Sequence, residues 1–299
     1  MKLRTMERLQ AEANRDVLDA VPLALSPYKD RSMGRRVWLA VLRLLFGVVE
    51  PAAVESARVA RRFYDEERAR VFPGAPRHDI FLQVPTFERF VEDMEEVYPR
   101  FRRRGSTDND VRVAAMRAAR TVENAGRWTI MKAVEEPDPF FDEDDGVGFV
   151  DSDEEFTVGV ADPKDRPKKR SRSSPGRVRG WARVATGKET CGWCLMLVSR
   201  GPVYATPKTA GSKLDTREAL QTTGSQTFDT KEHMHAWHTG CDCKIVPVFK
   251  LNDWEGRSRH KAAEMMWRDV TKGYFGKDAI KAFRRAAEAG VYTEYLSKF

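Results

Sequence analysis

The residues of this chain best suited to chemistry are cysteines and histidines gathered in one stretch. All four cysteines lie in it, as a Cys191-x-x-Cys194 pair and a His238-x-x-Cys241-x-Cys243 cluster. Zinc prefers four tetrahedral thiolate or imidazole ligands, and a C-x-x-C turn can present two sulfurs to one ion. The spacing therefore predicts one zinc site, with Cys191, Cys194 and His238 as ligands and either Cys241 or Cys243 as the fourth.

Other interpretations of these cysteines compete with a metal site. Thiols made in the cytosol stay reduced, which favours metal over disulfides unless disulfides form later in an exported particle. A redox C-x-x-C lacks its βαβ context here, and independent core thiols are the remaining alternative. His233 and His235 are weaker candidate ligands.

A zinc site in this pattern is expected to be structural. A catalytic zinc keeps one position open for water and has a general base nearby. The chain contains neither H-E-x-x-H nor an H-x-E paired with P-C-x-x-C. We therefore expect no catalytic residues, and a metal cross-link that contributes on the order of 10 kcal/mol to folding.

The first 134 residues predict a helical domain, because apolar residues recur there at steps of three and four. An apolar helix is expected over 37–49, too short to span a bilayer, which takes about 20 residues. Pro51 is expected to open the next helix, and the prolines at 73 and 76 to end it. Further helices are predicted over 87–98 and 108–134.

A linker is predicted over 135–178, where the charge changes sign. Residues 135–155 contain acidic and no basic side chains, whereas basic residues dominate 164–183. Such blocks resist packing. The tract Lys168, Lys169, Arg170 and Arg172 could neutralise DNA phosphates without reading sequence, or it could pair with the acidic block. A second basic group, Arg100 with Arg102, Arg103 and Arg104, is interpreted as a helix end.

The C-terminal domain is predicted over 179–299. Strands are expected over 201–206 and 244–249, followed by helices over about 257–274 and 277–289. Asp278 is the expected N-cap of the last helix, and Gly290 its stop. Together with the helical first part, these elements indicate an α+β protein, and the excess of 52 Lys and Arg over 45 Asp and Glu is modest.

The segments 180–204 and 238–249 resemble minor capsid proteins of phages that infect actinobacteria. They carry Gly-Trp-Ala-Arg-Val-Ala-Thr-Gly, Thr-Cys-Gly-Trp-Cys-Leu-Met-Leu-Val-Ser-Arg-Gly-Pro-Val-Tyr and His-Thr-Gly-Cys-Asp-Cys-Lys-Ile-Val-Pro-Val-Phe. This pattern, C-x-x-C followed by H-x-x-C-x-C, is similar to that of the phage Mu F-like head morphogenesis family. The resemblance is specific over 180–249 and looser over the helices on either side.

The resemblance implies a structural, low-copy virion protein. Such a protein would lie inside the capsid near the portal after assembly in the host cytoplasm, and would contact the portal protein, the major capsid protein or both. A non-specific contact with packaged phage DNA is a further implication, and no membrane partner is expected. Some relatives are described as capsid maturation proteases, which makes Ser199 a candidate nucleophile, although no G-x-S-x-G surrounds it. An ADP-ribosyltransferase is disfavoured because the chain has no Glu-x-Glu pair.

Overall fold

A computed structural model describes residues 1–136, 138, 180–186, 190–203 and 243–299. These residues are mostly helical and include a small two-stranded sheet, which agrees with the predicted α+β class. They form two compact units, one of Met1–Glu66 with Asp79–Ala133 and one of Glu67–His78 with the described part of Val134–Phe299. The domain ranges 1–134, 135–178 and 179–299 stay a prediction, because most of the linker lies outside the described residues.

The first unit is built from helices around a large apolar core. Its buried cluster includes Trp38, Leu42, Phe90, Phe101 and Val122, drawn from separate parts of the chain. Removing such side chains from water is the main source of stability for a helical unit of this kind. The helices are α1 (Leu3–Leu25), α2 (Arg35–Val71), α3 (Phe87–Met94), α4 (Tyr98–Arg102) and α5 (Asp108–Glu135).

A close helix crossing lies in the middle of this unit, at Gly126 of α5. A Cβ atom there would lie 2.4 Å from Gln10 Nε2 of α1 and 3.1 Å from the carbonyl oxygen of Ser56 of α2. Gln10 is buried and its side-chain amide donates to that same carbonyl oxygen at 3.4 Å. The missing side chain at position 126 therefore lets three helices approach one another.

The prediction that Pro51 opens a helix is wrong, because α2 continues through it as one helix of 37 residues. Proline lacks the N–H that would bond to the carbonyl of Gly47 and normally disrupts a helix interior. Burial on both sides of the proline, at Val49, Ala52 and Ala53, offsets that cost. By length and composition α2 is also apolar enough to cross a membrane, a test that core helices pass as well.

The second unit contains the sheet and the C-terminal helices. Strands β1 (Gly180–Val184) and β2 (Lys244–Val248) pair antiparallel, with Trp181 opposite Pro247 and Arg183 opposite Ile245. In chain order, the α-helices among the described residues that follow β1 are α6 (Gly192–Val198), α7 (Arg257–Val270), α8 (Gly276–Glu288) and α9 (Tyr292–Leu296).

The predicted elements of this unit have mixed outcomes. The strand expected over 244–249 and the two long C-terminal helices are confirmed, and Gly290 follows the end of α8 with a φ of 77°. Gly201–Val203 form a 3-10 turn, so the strand expected there is wrong, and Tyr204 to Thr206 lie outside the described residues. Phe275 occupies the N-cap position of α8 in place of Asp278, which lies in the first turn.

The end of α2 and the segment after it belong to the second unit. The ring of Phe72 meets that of Phe249 edge-on at 5.8 Å, directly after β2. Arg70 donates to the carboxylate of Asp253, and the buried Arg68 pairs with Asp138 at 2.7 Å. These contacts make residues 67–78 a structural part of the C-terminal unit.

Replacing Pro51 by alanine is expected to raise the free energy of unfolding of the first unit by about 1–3 kcal/mol. Proline costs about 3 kcal/mol in a helix interior relative to alanine. Its rigidity also lowers the conformational entropy of the unfolded chain, which offsets part of that cost. Urea unfolding followed by circular dichroism at 222 nm would measure the change. Glu50→Ala, at the exposed neighbouring position, is the control and should change stability little. A destabilised Pro51→Ala variant would contradict the assignment of one continuous α2.

Candidate functional site

The Cys191-x-x-Cys194 pair forms the start of α6. Cys191 is the N-cap residue of this helix, and its Sγ accepts a hydrogen bond from the backbone N–H of Cys194 at 3.3 Å. The Cys191 side chain is half-buried, whereas Cys194 is fully buried. The hydrogen bond places both cysteines on one helical turn, with one sulfur acting as the cap.

Helix α6 is buried along its whole length. All seven of its residues are shielded from solvent, and it packs against β1, α7 and α8. Gly192 permits the closest of these approaches: a Cβ at that position would lie 3.0 Å from the Cα of Arg284 and 3.4 Å from the Cβ of Ala287, both in α8. The glycine within the Cys-Gly-Trp-Cys motif thus has a packing role that the sequence analysis did not identify.

Cys243 immediately precedes β2 and is fully buried. The phenol of Tyr292 lies near it, and burial raises the pKa of that phenol to about 12. The charge of Arg259 opposes this rise, and the charge of Cys243 adds a contribution smaller than that of Arg259. The Tyr292 hydroxyl donates to the carbonyl oxygen of Arg259 at 3.0 Å. A neutral, hydrogen-bonded tyrosine therefore connects α9 to α7 beside this cysteine.

His260 is a buried polar residue that the sequence analysis missed. Its Nδ1 lies 3.1 Å from the carbonyl oxygen of Val198, at the end of α6, and its ring lies 5.9 Å from that of Trp254. Gly201 lies against the imidazole with a φ of 54°, and a Cβ there would be 2.5 Å from Cε1. The signal for it was weak, because one histidine on a helix with a charged face resembles a surface residue.

The remaining predicted ligands and DNA-binding residues lie outside the described residues. These are His233, His235, His238 and Cys241 of the cysteine–histidine cluster, and Lys168, Lys169, Arg170 and Arg172 of the basic tract. Within the described part of the chain, no three His, Cys, Asp or Glu side chains form a group that could hold a metal ion. The zinc site therefore stays a prediction.

Ser199, the candidate nucleophile, follows α6 and is 8% exposed. Its hydroxyl donates to the carbonyl oxygen of Met196 at 2.7 Å, the bond of a serine that turns back on its own helix end. This hydrogen bond gives Ser199 a structural role at the end of α6. The protease alternative stays a prediction.

Acidification should weaken the second unit through His260. Burial lowers the pKa of His260 below its ordinary 6.5; the Val198 carbonyl and Glu264 oppose this, whereas Lys261 and Arg257 add to it. The unfolded chain therefore takes up a proton that the folded unit rejects, so stability falls as the pH drops through 6.5. His260→Gln, which keeps a donor for the Val198 carbonyl, should flatten this dependence.

The loss of stability at low pH can be measured by hydrogen–deuterium exchange of the α6 and β2 amides between pH 7.5 and 5.5, corrected for intrinsic exchange. His78→Gln, which removes a buried histidine elsewhere in the unit, is the matched control and should retain the His260-linked dependence. If the wild type and His260→Gln lose protection equally, His260 does not carry the effect.

Comparison with known proteins places the chain among phage proteins. The family model described as VG15 protein matches residues 168–270, the region that contains β1, α6, β2 and α7. The gene 15 protein of Mycobacterium phage D29 is 34% identical over 242 residues, which cover 79% of this chain and 75% of that protein. The gene 15 protein of Mycobacterium phage L5 is 32% identical over 245 residues, covering 77% and 71%.

No solved structure matches the chain significantly. The region matched by the family model includes the whole cysteine–histidine cluster, and the two relatives extend the similarity over most of the chain. Phage origin, indicated by a resemblance in the same region, is therefore supported by similarity over more than three quarters of the chain. The chain belongs to the gene 15 (VG15) family of phage proteins.

Proposed function

We propose that this chain is a minor capsid protein that acts structurally in assembly of the phage head. It would lie inside the head near the portal, in contact with the portal protein, the major capsid protein or both, after synthesis in the host cytoplasm. The observation that carries the proposal is the buried α6, which holds Cys191 and Cys194 inside a region that both resembles Mu F-like head proteins and matches the VG15 family.

The burial of the cysteines favours a structural over a catalytic use. Cys194 and Cys243 are both inaccessible to solvent, and the first turn of α6 lies against neighbouring elements. A catalytic zinc needs a position that water and substrate can reach, whereas a structural zinc is closed by four protein ligands. A metal held by these residues would serve as a cross-link.

The described cysteines suit such a cross-link in their local geometry. An N–H···S bond to Cys191, like the one from Cys194, stabilises a thiolate, the form that binds zinc. We propose a structural zinc held by Cys191, Cys194 and His238, with Cys241 or Cys243 as the fourth ligand. It would join the start of α6 to the chain that leads into β2.

The full-length chain should contain close to one zinc per molecule after purification without added metal. Cys194→Ser should lose most of it, because one of four ligands is removed and a sulfur is the preferred donor. Ser199→Ala, a change at the other end of α6, is the matched control and should keep the metal. Plasma mass spectrometry of both variants, with protein concentration from amino-acid analysis, provides the measurement.

Two further variants decide the fourth ligand. Of Cys241→Ser and Cys243→Ser, the one that removes a ligand should lose zinc and the other should retain it. A folded wild-type chain without zinc, confirmed by its circular dichroism spectrum, would contradict the metal proposal.

The head role predicts that the chain is a component of finished particles. Quantitative mass spectrometry of gradient-purified virions should find it at a small fraction of the major capsid protein, and a phage that lacks it should make defective heads. Its presence in infected-cell lysate but absence from virions would contradict the role. Capsid cleavage that disappears in a Ser199→Ala phage would instead favour the maturation protease.

We also propose a non-specific DNA contact by Lys168, Lys169, Arg170 and Arg172. Its support is the sequence alone, since four cations within five positions can release counterions from a phosphate backbone. The variant that removes these four charges is included in the binding experiment described below.

A further inference from the structure

Two arginine-rich segments meet at one end of the helical unit. The backbone N–H of Met33 donates to the carbonyl oxygen of Phe101 at 2.8 Å, and the Ser106 hydroxyl donates to the carbonyl oxygen of Tyr28 at 3.4 Å. The loop before α2 and the end of α4 therefore lie side by side. We call this surface the arginine end; its exposed arginines are Arg31, Arg36, Arg102, Arg103 and Arg104.

Three carboxylates near this surface are engaged by other cations. Lys29 pairs with Asp108 at 2.6 Å, Arg35 with Glu95 at 2.7 Å and Arg100 with Asp110 at 2.8 Å. The five arginines of the arginine end take part in no ion pair within the described residues. Asp30 offsets one of their charges, so the surface keeps a strong positive excess.

An aromatic cluster holds together the backbone segments that carry these arginines. Trp38 is fully buried between Tyr98 and Phe101, at ring distances of 5.5 and 5.7 Å. The guanidinium of Arg35 lies 5.0 Å from the centre of the Tyr98 ring. Because this cluster fixes both segments, the backbone that carries the charges needs no rearrangement when a partner binds, which lowers the entropy cost of binding.

The composition of the arginine end favours nucleic acid over a protein partner. Among residues 29–36 and 100–107 the large hydrophobic residues Met33 and Phe101 are buried, and none is exposed. Protein interfaces depend on apolar or aromatic anchors at their centre. Gly34 and Gly105 instead leave open space around the backbone, where a phosphate chain can approach closely.

We propose that the arginine end is a sequence-independent binding surface for duplex DNA. Arginines contact phosphate oxygens and release counterions, which gives affinity without base readout. The surface is separate in sequence from the tract at 168–172. It does not depend on the head role, since a chain that binds DNA here could act elsewhere in the phage cycle.

The test measures the affinity of the full-length chain for a random-sequence 30-base-pair duplex by fluorescence anisotropy, at several salt concentrations. Arg102→Gln, Arg103→Gln and Arg104→Gln are combined in one variant. The slope of log K against log salt is negative, and each lost phosphate contact reduces its magnitude by about 0.9. The slope should therefore become less steep by about 3, and affinity at 0.1 M salt should fall by roughly 100-fold. All three side chains are exposed, and an unchanged thermal melt would confirm folding.

The matched control removes three exposed charges from α1 and its N-cap by combining Lys2→Gln, Arg4→Gln and Arg15→Gln. Arg15 lies about 15 Å from the end of α1 that leads to the arginine end. This control should lose little affinity for the duplex. If it loses as much affinity as the arginine variant, only net charge matters and the proposal is overturned. A full loss on removing the four charges of the 168–172 tract, with none in the arginine variant, would also overturn it. The head role is tested separately, by virion composition.

Discussion

The C-terminal unit depends on the complete burial of α6 between β1, α7 and α8. A helix of seven residues is too short to be stable alone, so its position is set by what covers it. Two glycines make this packing possible. Gly192 allows the backbone of α8 to approach closely, and Gly201 leaves room for the imidazole of His260. A side chain at either position would push a neighbouring element away.

This packing determines where the cysteines of the first motif lie. Because Cys191 caps α6 and Cys194 faces the interior of the unit, neither sulfur could move far without displacing the helix. Cys243 is fixed in turn by the pairing of β2 with β1. In the proposed function, zinc reinforces an arrangement that packing already favours, which is the use expected of a protein that must hold its shape within a particle.

The parts of the fold with a regular apolar period could be predicted from the sequence. The strand at 244–249 and the helices of the C-terminal tail follow directly from that period. Pro202 and its neighbours looked like a strand for the same reason, but the contact of Gly201 with His260 requires a turn. β1 was missed because its Arg183 is fully buried, and a charged side chain in a core hides the apolar pattern.

Long-range contacts could not be predicted from local spacing. Residues 67–78 join the C-terminal unit through the ring contact between Phe72 and Phe249, which are far apart in sequence. The arginine end arises in the same way, because Met33 and Phe101 bring two separate basic segments together. The arginines at 102–104 were interpreted alone as a helix end, and only the fold joins them to Arg31 and Arg36.

X-ray absorption at the zinc edge, on the purified full-length chain, tests the central claim of a structural metal cross-link most directly. The proposed ligands predict a closed shell of three sulfurs and one nitrogen, with zinc–sulfur distances of about 2.3 Å. A shell of oxygen and nitrogen alone, or one with an open water position, would contradict a structural site built on α6.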